Sequence, residues 1–509
     1  MALMRRVLTV SGWTLVSRVL GLVRDRLWAG HLGGSFLLDC FTVANALPNL
    51  LRNLFGEGAL SAAVIPRYVQ LRDQDPQAAE RFAGAIIVRL SLFMALVCAV
   101  GMAGAAAIIA WSGNAKAITI AALSLPMLPF ATFVCTSAIM AGVLNGRRHF
   151  WVPAFTPVIL NLALITTVWL SPEDETWYLP YAVLASGIAG TMLHLYALRR
   201  SGGIPPLVWR LAPEEVGRLT ELWRAIVPTT LAAGVFQLNA FLDTIIALSA
   251  GPGGPQVLYF ANRLFQFPLA LVGHGVATAV YPELASRASR GWSAMGEGLR
   301  DALASLWFWL LPASIGLLVV SEPAVRTVYQ VGQFDEDLVQ RTLLALRFFA
   351  VALVPLALTR VMVKAFHANR DQWTPLVVSV ATVVANLTLN LLLVRTPLRE
   401  AGLALSTAIT GTIACGVYVW LLRRRGVQGW GALSSFARPM AAALAMGAAV
   451  WALLHWWPQP AGRASSYAAM RLGCAVALGS GIYLVIAGRN WMKKRSLSAP
   501  GSSLDGDES

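Results

Sequence analysis

Long apolar runs, separated by short polar or basic stretches, occupy most of this chain of 509 residues. A hydrocarbon core of about 30 Å needs roughly 20 apolar residues per helix. Runs of that length are too long for buried strands, so they predict an all-α polytopic membrane protein. We place fourteen transmembrane helices, at residues 6–29, 36–66, 83–111, 117–143, 152–171, 177–199, 224–249, 256–285, 301–321, 340–366, 374–395, 401–423, 435–457 and 467–489.

The composition excludes several classes of protein. Hydrophobic residues make up 57% of the chain, and charged residues make up 13%. Soluble domains carry about 25% charged residues, so an ordinary soluble enzyme is excluded. The net charge is +15 and 40 residues are Lys or Arg, but no soluble domain presents a basic stripe, which argues against nucleic acid as a partner. The five cysteines form no Cys-x-x-Cys pair, so neither disulfides nor zinc are predicted.

Basic residues concentrate in alternate loops between the predicted helices. Cytoplasmic loops of membrane proteins carry the excess of Lys and Arg. The more basic set of loops includes the pair Arg147 and Arg148, the run Arg423–Arg425, and the segment after the last helix, which contains Lys493 and Lys494. We therefore predict a multi-pass protein of the bacterial cytoplasmic (inner) membrane with both termini in the cytoplasm.

Two passages recur within the chain, at offsets of 217 and 222 residues. They pair Ala44-Asn45-Ala46-Leu47 and Gly56-Glu57-Gly58 with Ala261-Asn262-Arg263-Leu264 and Gly273-His274-Gly275, and Asn145 to Pro153 with Asn369 to Pro375. Parallel repeats of this kind are typical of transporters and place the binding site between the repeated lobes. We expect a six-helix lobe in residues 1–200, a second in 201–425, two appended helices in 426–492, and a disordered cytoplasmic tail in 493–509.

Four of the arginines inside predicted helices are candidate site residues, because an arginine at the bilayer centre costs about 2.5 to 3.5 kcal/mol. They are Arg18, Arg24, Arg52 and Arg263. Some could snorkel to an interface or pair within a helix, as Arg24 could with Asp25. The alternative is a shared wet cavity, and several guanidinium forks in one cavity favour a polyanion such as a pyrophosphate. The chain contains no Walker A phosphate loop, so we expect transport driven by an ion gradient, the membrane potential or downstream consumption.

The same residues carry a family resemblance. The run from Ser17 to Asp25, the block Leu47-Pro48-Asn49-Leu50-Leu51-Arg52 and the block Ala261 to Gly273 resemble the MurJ (MviN) family of lipid II flippases, within the MOP exporter superfamily. The resemblance implies a MATE-like fold and the flipping of lipid II by alternating access. It also implies a groove for the polyprenyl tail at helices 13 and 14. The substrate-binding residues that it implies are Arg18, Arg24, Asp25, Asp39, Asn49, Arg52, Asn161 and Arg263. Positions 53 and 262, both Asn, depart from the family pattern.

A second polar set consists of Asp243, Asn386, Asn390 and Thr407. Oxygen ligands suit hard cations, and some relatives in the family have a sodium site in this region. The alternative is interhelical hydrogen bonding. We expect no cofactor, with Na⁺ or H⁺ as the candidate coupling ion. From the resemblance we also expect membrane lipids and peptidoglycan synthases as partners, and a monomer.

Three other functions remain open from the sequence. The first is an exporter of a different lipid-linked oligosaccharide, and the second is a drug antiporter of the MATE type. The third is an enzyme, such as a membrane glycosyltransferase, which would need carboxylates in a large extracytoplasmic loop. The longest such loop offers only the short stretch from Asp335 to Asp337 together with Glu322, which argues against catalysis.

Overall fold

The computed structural model describes residues 2–56, 59–170, 177–209, 217, 220, 234–235, 237–274, 276, 284, 286–287, 291–427, 434–457 and 465–488. Every regular element within those residues is helical. The α-helices are α1 Ala2–Leu32, α2 Phe36–Leu51, α3 Ala59–Gln74, α4 Pro76–Trp111, α5 Ala115–Gly146, α6 Trp151–Leu170, α7 Leu179–Arg200, α8 Gly254–Pro268, α9 Gly296–Tyr329, α10 Glu336–Ala368, α11 Trp373–Leu393, α12 Glu400–Arg424, α13 Ser434–Trp456 and α14 Ser465–Tyr483.

The observed helices confirm the predicted fold class. Ten of them, α4–α7 and α9–α14, are long and apolar enough to cross a membrane by length and composition, among the residues described. The other four are either short (α2, α3 and α8) or, like α1, rich in charged residues. The predicted second helix (36–66) is divided between α2 and α3. Within the predicted seventh helix (224–249), residues 237–246 are α-helical, whereas residues 224–233 and 236 lie outside the described residues.

Polar caps fix several of the helix starts. Ser35 Oγ accepts a hydrogen bond from the Leu38 amide at the start of α2. Asp75 accepts from the amides of Gln77 and Ala78 before α4, and Asn114 caps α5 in the same way. Each cap satisfies amides that have no partner within the helix. These short polar stretches are the breaks that separate the apolar runs in the sequence.

The chain divides into two compact units. The first comprises Met1–Tyr259 with Val331–Leu338, and the second comprises Phe260–Gln330 with Val339–Ser509. In the first unit, α5 packs against α2, α3, α4 and α7, and α1 packs against α6. In the second unit, α9 packs against α13 and α14, and α11 packs against α12. The lobe boundaries at residues 200 and 425 stay a prediction.

The end of α5 and the end of α10 have the same local geometry. Arg148 and Arg370, which are 222 residues apart, both adopt a left-handed backbone, with φ of 65° and 60°. The amide that follows each of them closes the helix end, from His149 to Leu144 O and from Asp371 to Phe366 O. This is the Schellman arrangement, and it occurs at the offset of the second sequence repeat.

A π-helical turn interrupts the helix at the matching position of the first repeat. One π-turn spans Arg52–Gly56 after α2, and the other spans Leu269–His274 after α8. Their first residues are 217 positions apart, which is the offset of the Ala-Asn and Gly-x-Gly passages. Such turns are rare and occur mostly at functional sites. The two repeats therefore share a backbone irregularity as well as sequence letters.

Candidate functional site

The side chain of Arg24 lies at the centre of a buried polar cluster in the first unit. Its Nε and Nη2 atoms donate to Oδ1 of Asp25 at 3.1 and 2.7 Å. Its Nη1 donates to Oδ1 of Asn161 on α6 at 3.0 Å. Arg24 is 8% exposed and Asp25 is fully buried, so the pair is removed from solvent in this conformation.

Two aromatic residues also contact Arg24. The hydroxyl of Tyr259 on α8 accepts from Nη2 of Arg24 at 2.8 Å and donates to Oδ1 of Asp25 at 3.1 Å. The ring of Trp28, one turn further along α1, lies 4.7 Å from the Arg24 guanidinium carbon. A guanidinium held over an aromatic face gains cation–π attraction, which is larger where water is excluded.

Asn161 links this cluster to the preceding part of α1. Its Nδ2 donates to the carbonyl oxygen of Ser17 at 3.0 Å and lies 3.3 Å from the Ser17 hydroxyl. One amide side chain therefore bridges the backbone of α1 and the guanidinium two turns later. The predicted residues Arg24, Asp25 and Asn161 are brought together by α1 and α6.

Asp39 holds a different part of the first unit. Its carboxylate accepts from the Gly253 amide at 2.7 Å and from Nε2 of Gln256 at 3.0 Å. Gln256 also donates to the Ser35 carbonyl and accepts from the Gly34 amide. These bonds tie the start of α2 to the start of α8. They give Asp39 a structural role in the conformation described.

The structure places the remaining predicted residues on α1, on α2, in the first π-turn and on α8. Arg18 lies on α1 and is half-buried, and Asn49 donates from Nδ2 to the Asn45 carbonyl one turn earlier. Arg52 begins the first π-turn and is half-buried. Arg263 lies on the part of α8 that belongs to the second unit, and it is exposed there.

Comparison with known proteins assigns the family. The family model described as "Lipid II flippase MurJ" matches residues 28–472. The chain belongs to the MurJ family. The lipid II flippase MurJ of Burkholderia cenocepacia is 31% identical over 475 residues, which is 90% of this chain and 90% of that relative. The resemblance on which the sequence prediction depends is thus confirmed over most of the chain.

Two solved structures show the fold. A lipid II flippase MurJ in an inward closed conformation has a TM-score of 0.77 at 22% identity, and the match covers 96% of this chain and 99% of that one. An inward-facing multidrug resistance MATE transporter of the MOP superfamily has a TM-score of 0.65 at 16% identity, over 80% and 94% of the two chains. The MATE-like architecture expected of a MurJ-family member is confirmed.

The second polar set is divided between the two units. Asp243 belongs to the first unit, where it accepts from Nδ2 of Asn239 at 3.2 Å. In the second unit, Asn386 on α11 donates from Nδ2 to Ser406 Oγ and Thr410 Oγ1 on α12 at 3.2 and 3.3 Å. Asn390 donates to Asn386 at 2.9 Å and accepts from Ser406. These interhelical bonds engage the oxygen atoms that a cation would need.

Thr407 donates to the Leu403 carbonyl of its own helix at 3.0 Å. The hydroxyls that meet the two asparagines are those of Ser406 and Thr410, one residue before Thr407 and three after it. Among the described residues, no group of three His, Cys, Asp or Glu side chains could hold a metal ion. The cation site itself stays a prediction.

Sequence reasoning missed several residues that the structure brings into play. Tyr259 and Gln256 contact the predicted Asp25 and Asp39, although nothing distinguished them within an apolar run. Arg471, inside the predicted fourteenth helix, is 3% exposed and donates to the Leu454 carbonyl. Its position inside an apolar run was a readable signal. The sequence prediction of four site arginines left it out, together with Arg89, Arg347 and Arg360 inside other predicted helices.

Proposed function

We propose that this chain flips lipid II, the undecaprenyl-pyrophosphoryl disaccharide pentapeptide, from the cytoplasmic to the outer leaflet of the bacterial inner membrane. The observation that carries the proposal is the buried guanidinium of Arg24, linked to Asp25 and Asn161 within a chain of the MurJ family. A buried arginine is expensive in a membrane protein, and such residues mark substrate pathways. A pyrophosphate is the headgroup feature that a guanidinium fork binds best.

Asp25 neutralises Arg24 while no anion is bound. A buried charge without a partner costs several kcal/mol, so the ion pair at 2.7 Å allows Arg24 to lie in the membrane between transport cycles. An incoming pyrophosphate competes with Asp25 and Asn161 for the N–H donors of Arg24. Arg18, Arg52 and Arg263 supply further positive charge to the same anionic headgroup. Release then restores the Arg24–Asp25 pair.

Transport proceeds by alternating access, in which the binding site opens to one membrane face at a time. The two π-turns, Arg52–Gly56 and Leu269–His274, are candidate bending points because a π-turn weakens the regular hydrogen-bond ladder. Each π-turn follows a helix with an arginine of the predicted site at or near its end. Bending there changes the position of those arginines relative to the rest of their own unit.

The electrical potential supplies part of the driving force. A membrane potential negative inside favours outward movement of an anion by about 2.3 kcal/mol per net charge for each 100 mV. We propose this source of energy in place of ATP hydrolysis.

The polyprenyl tail stays in lipid beside α13 and α14, because an apolar tail gains nothing in a polar cavity. Both termini face the cytoplasm, the protein acts as a monomer, and peptidoglycan synthases use the exported product.

For the α11–α12 polar cluster, we propose interhelical hydrogen bonding. Asn386 and Asn390 already exchange hydrogen bonds with each other and with hydroxyls of α12. A sodium-coupled mechanism predicts instead that transport depends on Na⁺ and that Asn390→Ala removes this dependence. Flux measured in Na⁺ and in K⁺ buffers decides between these roles, and a proton gradient imposed across the same vesicles tests H⁺.

Depletion of the protein from a cell without a redundant flippase tests the proposed function. The quantity measured is lipid II exposed on the outer leaflet, by its accessibility to an externally added cleaving or labelling reagent. We expect exposed lipid II to fall while total lipid II rises. Exposure that persists at normal levels contradicts the proposed function.

A further inference from the structure

The first unit contains a cavity of about 240 Å³ that lies apart from the Arg24 cluster. Its walls come from α5, α6 and α7, and the first π-turn contributes Arg52. Most of the lining is apolar, and much of the wall on α5 and α7 consists of small residues such as Ala138, Ala141 and Gly190. Ala138 and Ala141 are only half-buried, although they lie on the central helix of the unit.

One polar group in the cavity has a buried nitrogen without a protein partner. His194 on α7 is 2% exposed, and its Nδ1 lies 2.8 Å from the Gly190 carbonyl oxygen. A carbonyl oxygen only accepts, so Nδ1 carries the proton and Nε2 of the neutral ring is an acceptor. Nε2 is buried and has no hydrogen-bond partner. His194 lines the cavity, so Nε2 is an unsatisfied acceptor in the cavity wall, and a ligand N–H or O–H that displaces the atoms covering it would satisfy it.

The chemistry of the lining restricts the ligand. Small apolar side chains leave room for methyl groups, His194 accepts one N–H or O–H, and Arg52 attracts an anion. Ligand sites are mostly apolar with a few placed polar groups. A compact amide with small apolar substituents, attached near an anionic group, satisfies all three features at once.

We propose that this cavity is a subsite for the amide-bearing part of the transported headgroup, with a ligand N–H donating to Nε2 of His194 and its anion paired with Arg52. The subsite rests on the proposed function, because the headgroup of that lipid joins a pyrophosphate to amides and methyl groups. It makes His194, Ala138 and Ala141 determinants of which lipid-linked headgroup is accepted. A ligand that carries only the anion does not need these three residues.

Binding to the purified, detergent-solubilised full chain tests the subsite with two lipids. Lipid II carries the anion, the tail and the amides, whereas undecaprenyl pyrophosphate carries only the anion and the tail. Ala141→Leu fills the cavity, His194→Leu removes the acceptor, and His194→Gln restores an acceptor oxygen. Ala189→Leu adds the same bulk at an exposed position of α7 and is the matched control. Arg52→Ala serves as the variant of the anion site.

We expect His194→Leu to weaken lipid II binding by about 3- to 10-fold, the factor expected for one lost hydrogen bond. Ala141→Leu, which fills the cavity, weakens lipid II binding at least as much. Both variants bind undecaprenyl pyrophosphate at the wild-type level, which also shows that they are folded. His194→Gln recovers part of the loss, Ala189→Leu behaves as wild type, and Arg52→Ala weakens both lipids.

The subsite is overturned if both cavity variants bind lipid II as wild type does, or if they lose both lipids equally. It is also overturned if the wild-type chain binds the two lipids with the same affinity, a result that leaves the anion site of the proposed function intact. A wild-type chain that binds neither lipid contradicts the proposed function itself.

Discussion

At the scale of single residues, the contacts of Arg24 differ in kind from those of Arg147 at the end of α5. The N–H groups of Arg24 donate to the Asp25 carboxylate, the Asn161 amide oxygen and the Tyr259 hydroxyl, all in the interior of the first unit. Arg147 shows the structural alternative, because it joins Glu80 at 2.6 Å and the carbonyls of Leu198 and Gly203. The first set leaves room for exchange with an anion, whereas the second closes loops at the helix ends.

Asn161→Asp provides a charge test of the Arg24 cluster. The change places a second carboxylate about where Oδ1 of Asn161 lies, 3.0 Å from Arg24. Two carboxylates on one guanidinium oppose an incoming pyrophosphate, so we expect Asn161→Asp to bind it at least 10-fold more weakly than Asn161→Ala does. Inorganic pyrophosphate binding to the purified variants measures this. Equal affinity of the Asp and Ala variants contradicts the cluster as an anion site.

Arg147→Ala is expected to lower stability and leave the transport step intact. Its side chain is nearly fully buried while that of Glu80 is 26% exposed, so the loss is about 1.5 to 3 kcal/mol, the range for hydrogen bonds to charged groups. Thermal unfolding in detergent measures the loss, with Arg148→Ala at the exposed neighbouring position as the control. An unchanged unfolding temperature for Arg147→Ala shows that the loop contacts contribute little.

Part of the candidate site could be predicted from the sequence, because the family motifs specify which residue types occupy particular positions. Arg24, Asp25 and Asn161 are predicted from the resemblance, and the structure places them in contact. Tyr259 was not predicted, since its role depends on α8 approaching α1, and a single aromatic residue in an apolar run reveals no approach. Similarly, the predicted set contains Thr407, whereas Ser406 makes the bond to Asn386, because hydropathy does not reveal which face of α12 meets α11.

At the scale of helices, the apolar runs predicted where helices occur but not where they change type. Apolar residues lie on both sides of Arg52–Gly56, so the sequence indicated one helix over residues 36–66, where the structure has α2, a π-turn and α3. The repeat offset of 217 residues pointed to this position through its glycines. Only the backbone reveals that both copies carry a π-turn.

Gly56→Ala tests the first π-turn as a bending point. A Cβ at this position meets Arg52 and Ala138 only at ordinary contact distances of 3.6 and 3.8 Å, so alanine fits. Replacing helical glycine by alanine stabilises by about 0.5 to 1 kcal/mol, and we expect an unchanged or higher unfolding temperature together with slower transport. Gly104→Ala, in open space on α4, is the control. Transport at the wild-type rate by Gly56→Ala argues against bending there.

At the scale of the whole molecule, family, fold and buried charge point to the same activity. The MurJ-family match extends over residues 28–472, and ten described helices are able to cross a membrane. A polytopic chain with a neutralised intramembrane arginine can accept an anion without leaving a bare charge in lipid afterwards. Fold class, family and the possible Arg24–Asp25 pair followed from the sequence, whereas the bonds from Arg24 to Asn161 and Tyr259 required the structure.

Lipid II translocation in proteoliposomes tests the central claim most directly. Wild-type protein, Arg24→Ala and the control Arg89→Ala, whose side chain donates to backbone carbonyls on α4 and beyond, are reconstituted with labelled lipid II in one leaflet. The label that reaches the other leaflet is measured once with a membrane potential that favours anion exit and once with the opposite potential. We predict transport by wild type and Arg89→Ala, faster when the potential favours anion exit, and none by Arg24→Ala. Transport by Arg24→Ala at the wild-type rate would contradict the account.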